Sequence, residues 1–204
     1  MTTATDSEIR WQELLRRLAT LFAMTDLQRF DDARVDVASD VLHDDGVEPR
    51  SFAVLHHLDR ALAAKGEVTS PICVAFQRVK SALRWRQNSS YARADFLDGY
   101  AYCELVGPGG HRKRDDVALG VLLLGPHVIY PEHAHPAAET YIVLSGCAQW
   151  RQGDGIWRGR EPGERIRHAS MEPHAMRTAD EPLLAAYLWQ DHLHEGARLL
   201  EGGA

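Results

Sequence analysis

The sequence predicts a mainly β fold, a barrel or sandwich preceded by an α-helical N-terminal extension. Three observations lead there. Apolar residues recur at three-to-four spacing through the first third of the chain. Beyond Tyr91, short apolar or alternating runs are interrupted at close intervals by Gly, Pro and Asp, the pattern of many short strands. A chain of 204 residues, 45% of them hydrophobic, is long enough to bury a core of its own. No linker-like composition separates the two textures, so a helical region over 1–90 is expected to pack on a β-barrel over 91–204 as one unit.

The first helix is expected over 7–24, with Ser7 as N-cap and Trp11, Leu14, Leu15, Leu18, Leu21 and Phe22 along one face. That stripe is core or a subunit contact, and a homodimer through this helical arm is the expected assembly. The acidic segment 26–45 is ambiguous and holds at most a short helix near 35–42. A second helix is expected over 50–65, turning Val54, Leu55, Leu58 and Leu62 inward and stopping at Gly66. A third starts at Ser70-Pro71 and carries Ile72, Phe76, Val79 and Leu83 on one face to near Asn88. Strands are expected over 96–106, 117–124, 140–150, 155–158, 176–178 and 183–189, and a frayed tail over 201–204.

Composition excludes several classes. A formal charge of −6, from 23 Lys+Arg against 29 Asp+Glu, leaves no electrostatic footprint for nucleic acid and no polybasic membrane patch. No run of 18 apolar residues is present to span a bilayer. The start, MTTATDSEIR, lacks the pattern of a secretory signal, so a cytoplasmic location is expected. Cys73, Cys103 and Cys147 form neither a disulfide framework nor a Cys-x-x-Cys pair, and read as buried free thiols.

Histidine is out of line. Of 11 in the chain, seven lie between His127 and His194. The informative stretch runs from Gly125 to Gly146. On a strand, residues two apart share a face, so His133 and His135 project together. After the Pro136-Ala137-Ala138 break, Glu139, Tyr141 and Val143 share a face as well. Two such strands side by side converge two imidazoles, a carboxylate and a phenol. That donor set suits one divalent Zn, Fe, Mn, Ni or Co ion with an exchangeable position. A second cluster, Pro162-Gly163 followed by Pro173-His174, offers a third imidazole from a short strand elsewhere in the barrel. The other histidines read as surface or turn residues: His56 and His57 on a helix, His43 and His111 in polar segments, His127 and His168 in turns. His127 is the best spare candidate among them.

The spacing His-x-His-x3-Glu-x6-Gly, met by His133, His135, Glu139 and Gly146, resembles the first cupin motif, and Pro162-Gly163 with His174 resembles the second. Two departures are visible. Seven residues rather than five separate Gly125 from His133, and Arg177-Thr178 stands where an Asn is usual after His174. A narrower resemblance spans most of the chain. Helices followed by a single cupin carrying 98–107, Tyr130-Pro-Glu-His133, Glu139-Thr-Tyr141, Pro173-His-Ala-Met176 and Tyr187-Leu-Trp189 resemble the cupin-type dimethylsulfoniopropionate (DMSP) lyases. The tyrosine two places after the motif glutamate is the sharpest marker.

This resemblance implies a single cupin jelly-roll barrel and a divalent metal held by His133, His135, Glu139 and His174. It implies Tyr141 as catalytic base or ligand, with Tyr130, a second catalytic candidate, and Trp189 in the substrate pocket; Tyr102 and Tyr187 join them as candidates for the wall that faces the sulfonium. The chemistry is coherent. A metal binds the DMSP carboxylate and acidifies the α-hydrogens, a metal-stabilised phenolate removes one, and dimethyl sulfide leaves acrylate behind. Aromatic faces hold the sulfonium by cation–π attraction of about 1–2 kcal/mol. The rival expectations are a related metal cupin, a dioxygenase or isomerase acting on another small carboxylate or sugar, and a non-enzymatic small-molecule-binding cupin.

Overall fold

Strands 117–124, 140–145 and 183–189 are apolar on both faces, so the sheet they form must be covered on both sides. A computed structural model of the chain, which describes residues 5–23, 50–63 and 66–200, shows how. Ten strands among the described residues form two five-stranded sheets. One is ordered β1-β2-β9-β4-β7 and the other β10-β3-β8-β5-β6. The strands are β1 Tyr100–Val106, β2 Val117–Leu124, β3 Ile129–Ala134, β4 Ala138–Ser145, β5 Ala148–Gln152, β6 Arg158–Arg160, β7 Arg165–His168, β8 His174–Arg177, β9 Leu183–Gln190 and β10 Arg198–Leu199. Every strand pair is antiparallel.

Alternation along the central strands separates two cores. Val117, Leu119, Val121 and Leu123 of β2, Ile142 and Leu144 of β4, and Leu184, Ala186 and Leu188 of β9 face the helices. Leu122 and Leu124, Tyr141 and Val143, and Leu183, Ala185 and Tyr187 fill the barrel. The helical cover is α1 (Asp6–Ala23), α2 (Leu58–Ala63) and α3 (Ser70–Gln77). All six stripe residues of α1 are buried against that outer face. Burying each such side chain is worth roughly 1.5–3 kcal/mol. Among the described residues no helix is long and apolar enough to cross a membrane.

Several boundaries differ from expectation, each for a local reason. The N-cap of α1 is Thr5, not Ser7: Thr5 Oγ1 accepts the Glu8 N–H at 3.3 Å and Glu8 Oε2 accepts the Thr5 N–H at 2.6 Å, a capping box. The second helix opens as a 3-10 turn over Ala53–His57 before α2. The third stops at Gln77, passes through a 3-10 turn (Lys80–Ala82) and becomes extended. There Arg86 and Tyr102 exchange backbone hydrogen bonds, so the edge of β1 captures what periodicity alone assigns to the helix. Phe96 lies in a helical turn, α4 (Ala94–Leu97), ahead of β1. The run 140–150 is two strands, because Gly146 sits at φ +71° between β4 and β5. The fourth expected strand lies at 158–160 rather than 155–158. The short helix considered near 35–42 and the tail 201–204 lie outside the described residues.

Gly146 closes the β4–β5 turn under two constraints. Its φ favours glycine, and a Cβ built there would fall 1.9 Å from the Pro182 carbonyl oxygen. Gly146→Ala should therefore lower stability by at least about 2 kcal/mol, read as a fall in urea midpoint. A wild-type midpoint would contradict this packing.

Candidate metal centre

The antiparallel pairing of β4 with β9 and β7 sets Trp189, Glu139 and His168 side by side on one rung, and Tyr187, Tyr141 and Ile166 on the next. In the other sheet, β3 pairs with β8 so that His133 lies opposite His174. His135 sits in the link that carries the chain from one sheet to the other. Two sheets thus deliver their polar groups to one place inside the barrel. His133, His135, Glu139 and His174 are each 3% exposed or less.

The three imidazoles are anchored alike. The Nδ1 of His133 meets the Pro131 carbonyl at 2.8 Å, that of His135 the Ala137 carbonyl at 2.9 Å, and that of His174 the Glu172 carbonyl at 2.9 Å. A carbonyl only accepts, so each Nδ1 carries a proton and each Nε2 is left with its lone pair or a second proton. Two of those Nε2 atoms face one carboxylate oxygen. Glu139 Oε2 lies 3.0 Å from His135 Nε2 and 3.4 Å from His174 Nε2. His135, Glu139 and His174 bring ligand atoms within 4.8 Å of one another. His133 stands outside that tight trio, with its ring 4.0 Å from that of His174.

Electrostatics favours an ionised carboxylate here. Burial opposes ionisation of Glu139, yet the His135 and His174 nitrogens outweigh it and hold the carboxyl well below the usual carboxylate range. Burial and the neighbouring His174 hold His133 neutral. Imidazole nitrogens and a carboxylate, buried and converging, are the donors a divalent metal takes. The residues fit such an ion.

Glu139 is also shared with a cleft of about 280 Å³. Its second oxygen, Oε1, accepts the Trp189 indole N–H at 2.5 Å, while the Trp189 ring stacks on His135 at 4.2 Å. The cleft is lined by Tyr102, Tyr130, Tyr141, Tyr187 and Trp189, so all five aromatic residues singled out in the sequence meet there. Tyr141 adjoins Glu139, and burial together with that carboxylate pushes its phenol well above the ordinary value. Tyr130 stacks flat on His133 at 4.0 Å and shares a 2.8 Å hydrogen bond with the Tyr91 hydroxyl. The Tyr187 phenol lies across Gly120, where an added Cβ would come within 2.4 Å of its hydroxyl. After burial, the charged group that most raises Tyr187 is Glu104, which also lines the cleft.

The family model for dimethylsulfoniopropionate lyase matches residues 27–185. The chain belongs to that family. It is 38% identical over 122 residues to dimethylsulfoniopropionate lyase DddQ of Ruegeria pomeroyi, covering 58% of this chain and 60% of that relative. The chain spans about 60% of the length of the curated relatives it matches. The crystal structure of DMSP lyase DddQ from Ruegeria pomeroyi matches with a TM-score of 0.81 and 29% identity, over 97% of this chain and 100% of that one. A chain from the crystal structures of the DMSP lyases RdDddP and RnDddQII matches at 0.81 and 25%, over 96% and 100%. The fold is a single cupin barrel with an N-terminal helical extension.

Within this lyase-family barrel, some site residues escape sequence reasoning. His168, expected in a solvated turn, is 2% exposed on β7 and stacked on His174. Burial, then His174, pushes its imidazole down to about 3. Only the register that sets it opposite Glu139 reveals it. Tyr91 and Tyr100 also line the cleft. Tyr100 is legible as the alternation partner of Tyr102, whereas Tyr91 arrives from a loop with no local signal. His111, expected to be solvated, is buried against Trp11 at 4.4 Å and accepts the Arg84 N–H. His127 is mostly exposed, 3.4 Å from Asp180 and away from the site. Cys73 and Cys103 are buried free thiols, and burial pushes Cys103 up to about 12.

Trp189→Phe keeps a ring against His135 and removes the N–H donor to Glu139. The zinc dissociation constant, measured by chelator competition, should rise about 10-fold. An unchanged constant would detach Trp189 from the metal centre.

Proposed function

We propose that the chain is a metal-dependent DMSP lyase that eliminates dimethyl sulfide from DMSP and leaves acrylate, with Tyr141 as base. The observation that carries this reading is the junction at Glu139. One of its oxygens faces the imidazole Nε2 atoms, and the carboxylate also borders a cleft walled by tyrosines. Family membership and the relatives' names support the choice of substrate.

His133, His135, Glu139 and His174 would hold the ion. A divalent cation, when bound, supplies positive charge that attracts the substrate carboxylate, acidifies its α-hydrogens and favours the phenolate of Tyr141. The remaining steps belong to the chain. Trp189 keeps Glu139 turned between the histidines and the cleft. Tyr141 Oη takes the proton from the carbon next to the carboxylate. That C–H electron pair becomes the new carbon–carbon double bond, and the carbon–sulfur bond breaks with its pair going to sulfur. Neutral dimethyl sulfide departs and acrylate keeps the carboxylate charge. Tyr102, Tyr130, Tyr187 and Trp189 offer π faces to the sulfonium, which needs electron density without a hydration shell.

Tyr141→Phe should lower kcat for DMSP about 10²- to 10⁴-fold with metal content unchanged, because only the proton acceptor is lost. Headspace dimethyl sulfide and acrylate by chromatography give the rate, and elemental analysis gives the metal. A variant rate close to wild type would return Tyr141 to packing, and absence of both products from the metal-loaded wild type would overturn the lyase reading. Removing the metal with a chelator should abolish turnover, and adding a divalent cation back should restore it.

A further inference from the structure

His168 has no place in the reaction, yet it is buried among the groups that do. Its partner across β4 and β7 is Glu139, so both side chains enter the barrel on the same rung. Its ring lies face to face with that of His174, 3.8 Å between centroids and 11° between planes. His133 is tilted by 59° at 4.0 Å against His174, and His135 stands edge-on to it at 5.1 Å. Of the three rings around the His174 imidazole only His168 lies parallel to it, while its Nδ1 is tied to the Glu172 carbonyl.

His168 is itself held from a third strand. Its Nδ1 lies 3.4 Å from Gln152 Nε2, and the same amide donates to the Arg167 carbonyl at 2.6 Å. Gln152 stands opposite His174 in the pairing of β5 with β8. The Gln152 amide thus ties β5 to β7 beside this imidazole, at the position where β5 pairs with β8. The Nε2 of His168 is buried and makes no hydrogen bond. A buried nitrogen without a partner is costly, and an aliphatic side chain would fill the volume without that cost. What the imidazole adds is a flat face at stacking distance.

We propose that His168 is a positioning residue for metal binding: its ring fixes the plane of the His174 imidazole and so aims the His174 Nε2 at the point shared with Glu139 and His135. This rests on the reading that those residues hold a divalent metal. Groups that orient metal-binding imidazoles shift metal affinity by about 10- to 100-fold when removed.

The test compares a flat replacement with non-planar ones of similar bulk: His168→Phe against His168→Leu and His168→Met. Cobalt(II) is titrated into each full-length protein in competition with a chelator, and the visible ligand-field bands are recorded. Leu and Met should raise the cobalt dissociation constant about 10- to 100-fold and shift the bands, while Phe stays close to wild type in both. Wild-type affinity and bands in a folded Leu or Met variant would overturn the proposal. So would equal losses in Phe, Leu and Met, since the nitrogens rather than the face would then matter. Failure of the wild type itself to bind cobalt would overturn the metal reading beneath it, and is told apart because no variant need be compared.

Discussion

A buried carboxylate oxygen facing two imidazole nitrogens is the arrangement on which the site depends. Glu139 Oε2 lies 3.0 and 3.4 Å from the Nε2 atoms of His135 and His174, in a place that water does not reach. Each imidazole has already committed its Nδ1 proton to a backbone carbonyl two residues away. What remains is two Nε2 atoms turned on one buried carboxylate oxygen, a group that positive charge between its members, a proton or a divalent cation, stabilises. The surrounding architecture follows from holding it. β4 supplies the carboxylate from one sheet, β8 an imidazole from the other, and the 135–137 link passes between them. Trp189 fixes the remaining carboxylate oxygen.

Covering the carboxylate-bearing sheet on both sides makes this burial feasible. Its outer face is sealed by α1, α2 and α3, which leaves the inner face free to carry tyrosines, a glutamate and a tryptophan rather than a complete apolar core. The same two-sided burial explains the near-continuous hydrophobic runs of β2, β4 and β9. The cleft is lined by phenols together with Glu139 and Glu104.

What was legible in the sequence was whatever depends on near neighbours. The period-two pattern placed Glu139, Tyr141 and Val143 on one face, and the stripe from Trp11 to Phe22 proved to be the cover of the sheet. Of the residues the motif spacing named, His135, Glu139 and His174 bring ligand atoms within 4.8 Å of one another with His133 beside them, and all five chosen aromatics line one cleft. What was hidden depends on register between distant strands. His168 reads as a turn residue until β7 is laid against β4, and the third helix reads as continuing until Arg86 is captured by Tyr102. The N-cap failed for a smaller reason: Ser7 and Thr5 are both chemically able caps, and only Thr5 has a glutamate three residues on. Tyr91 could not be found, because a loop residue has no period.

The most direct test of the central claim is an anomalous diffraction experiment on crystals of the metal-loaded protein, collected at the absorption edge of the added ion. The account predicts one strong peak per chain, about 2.0–2.2 Å from the Nε2 atoms of His135 and His174 and from a Glu139 oxygen. A map with no peak there, or with the ion bound elsewhere while these side chains keep their arrangement, would contradict it.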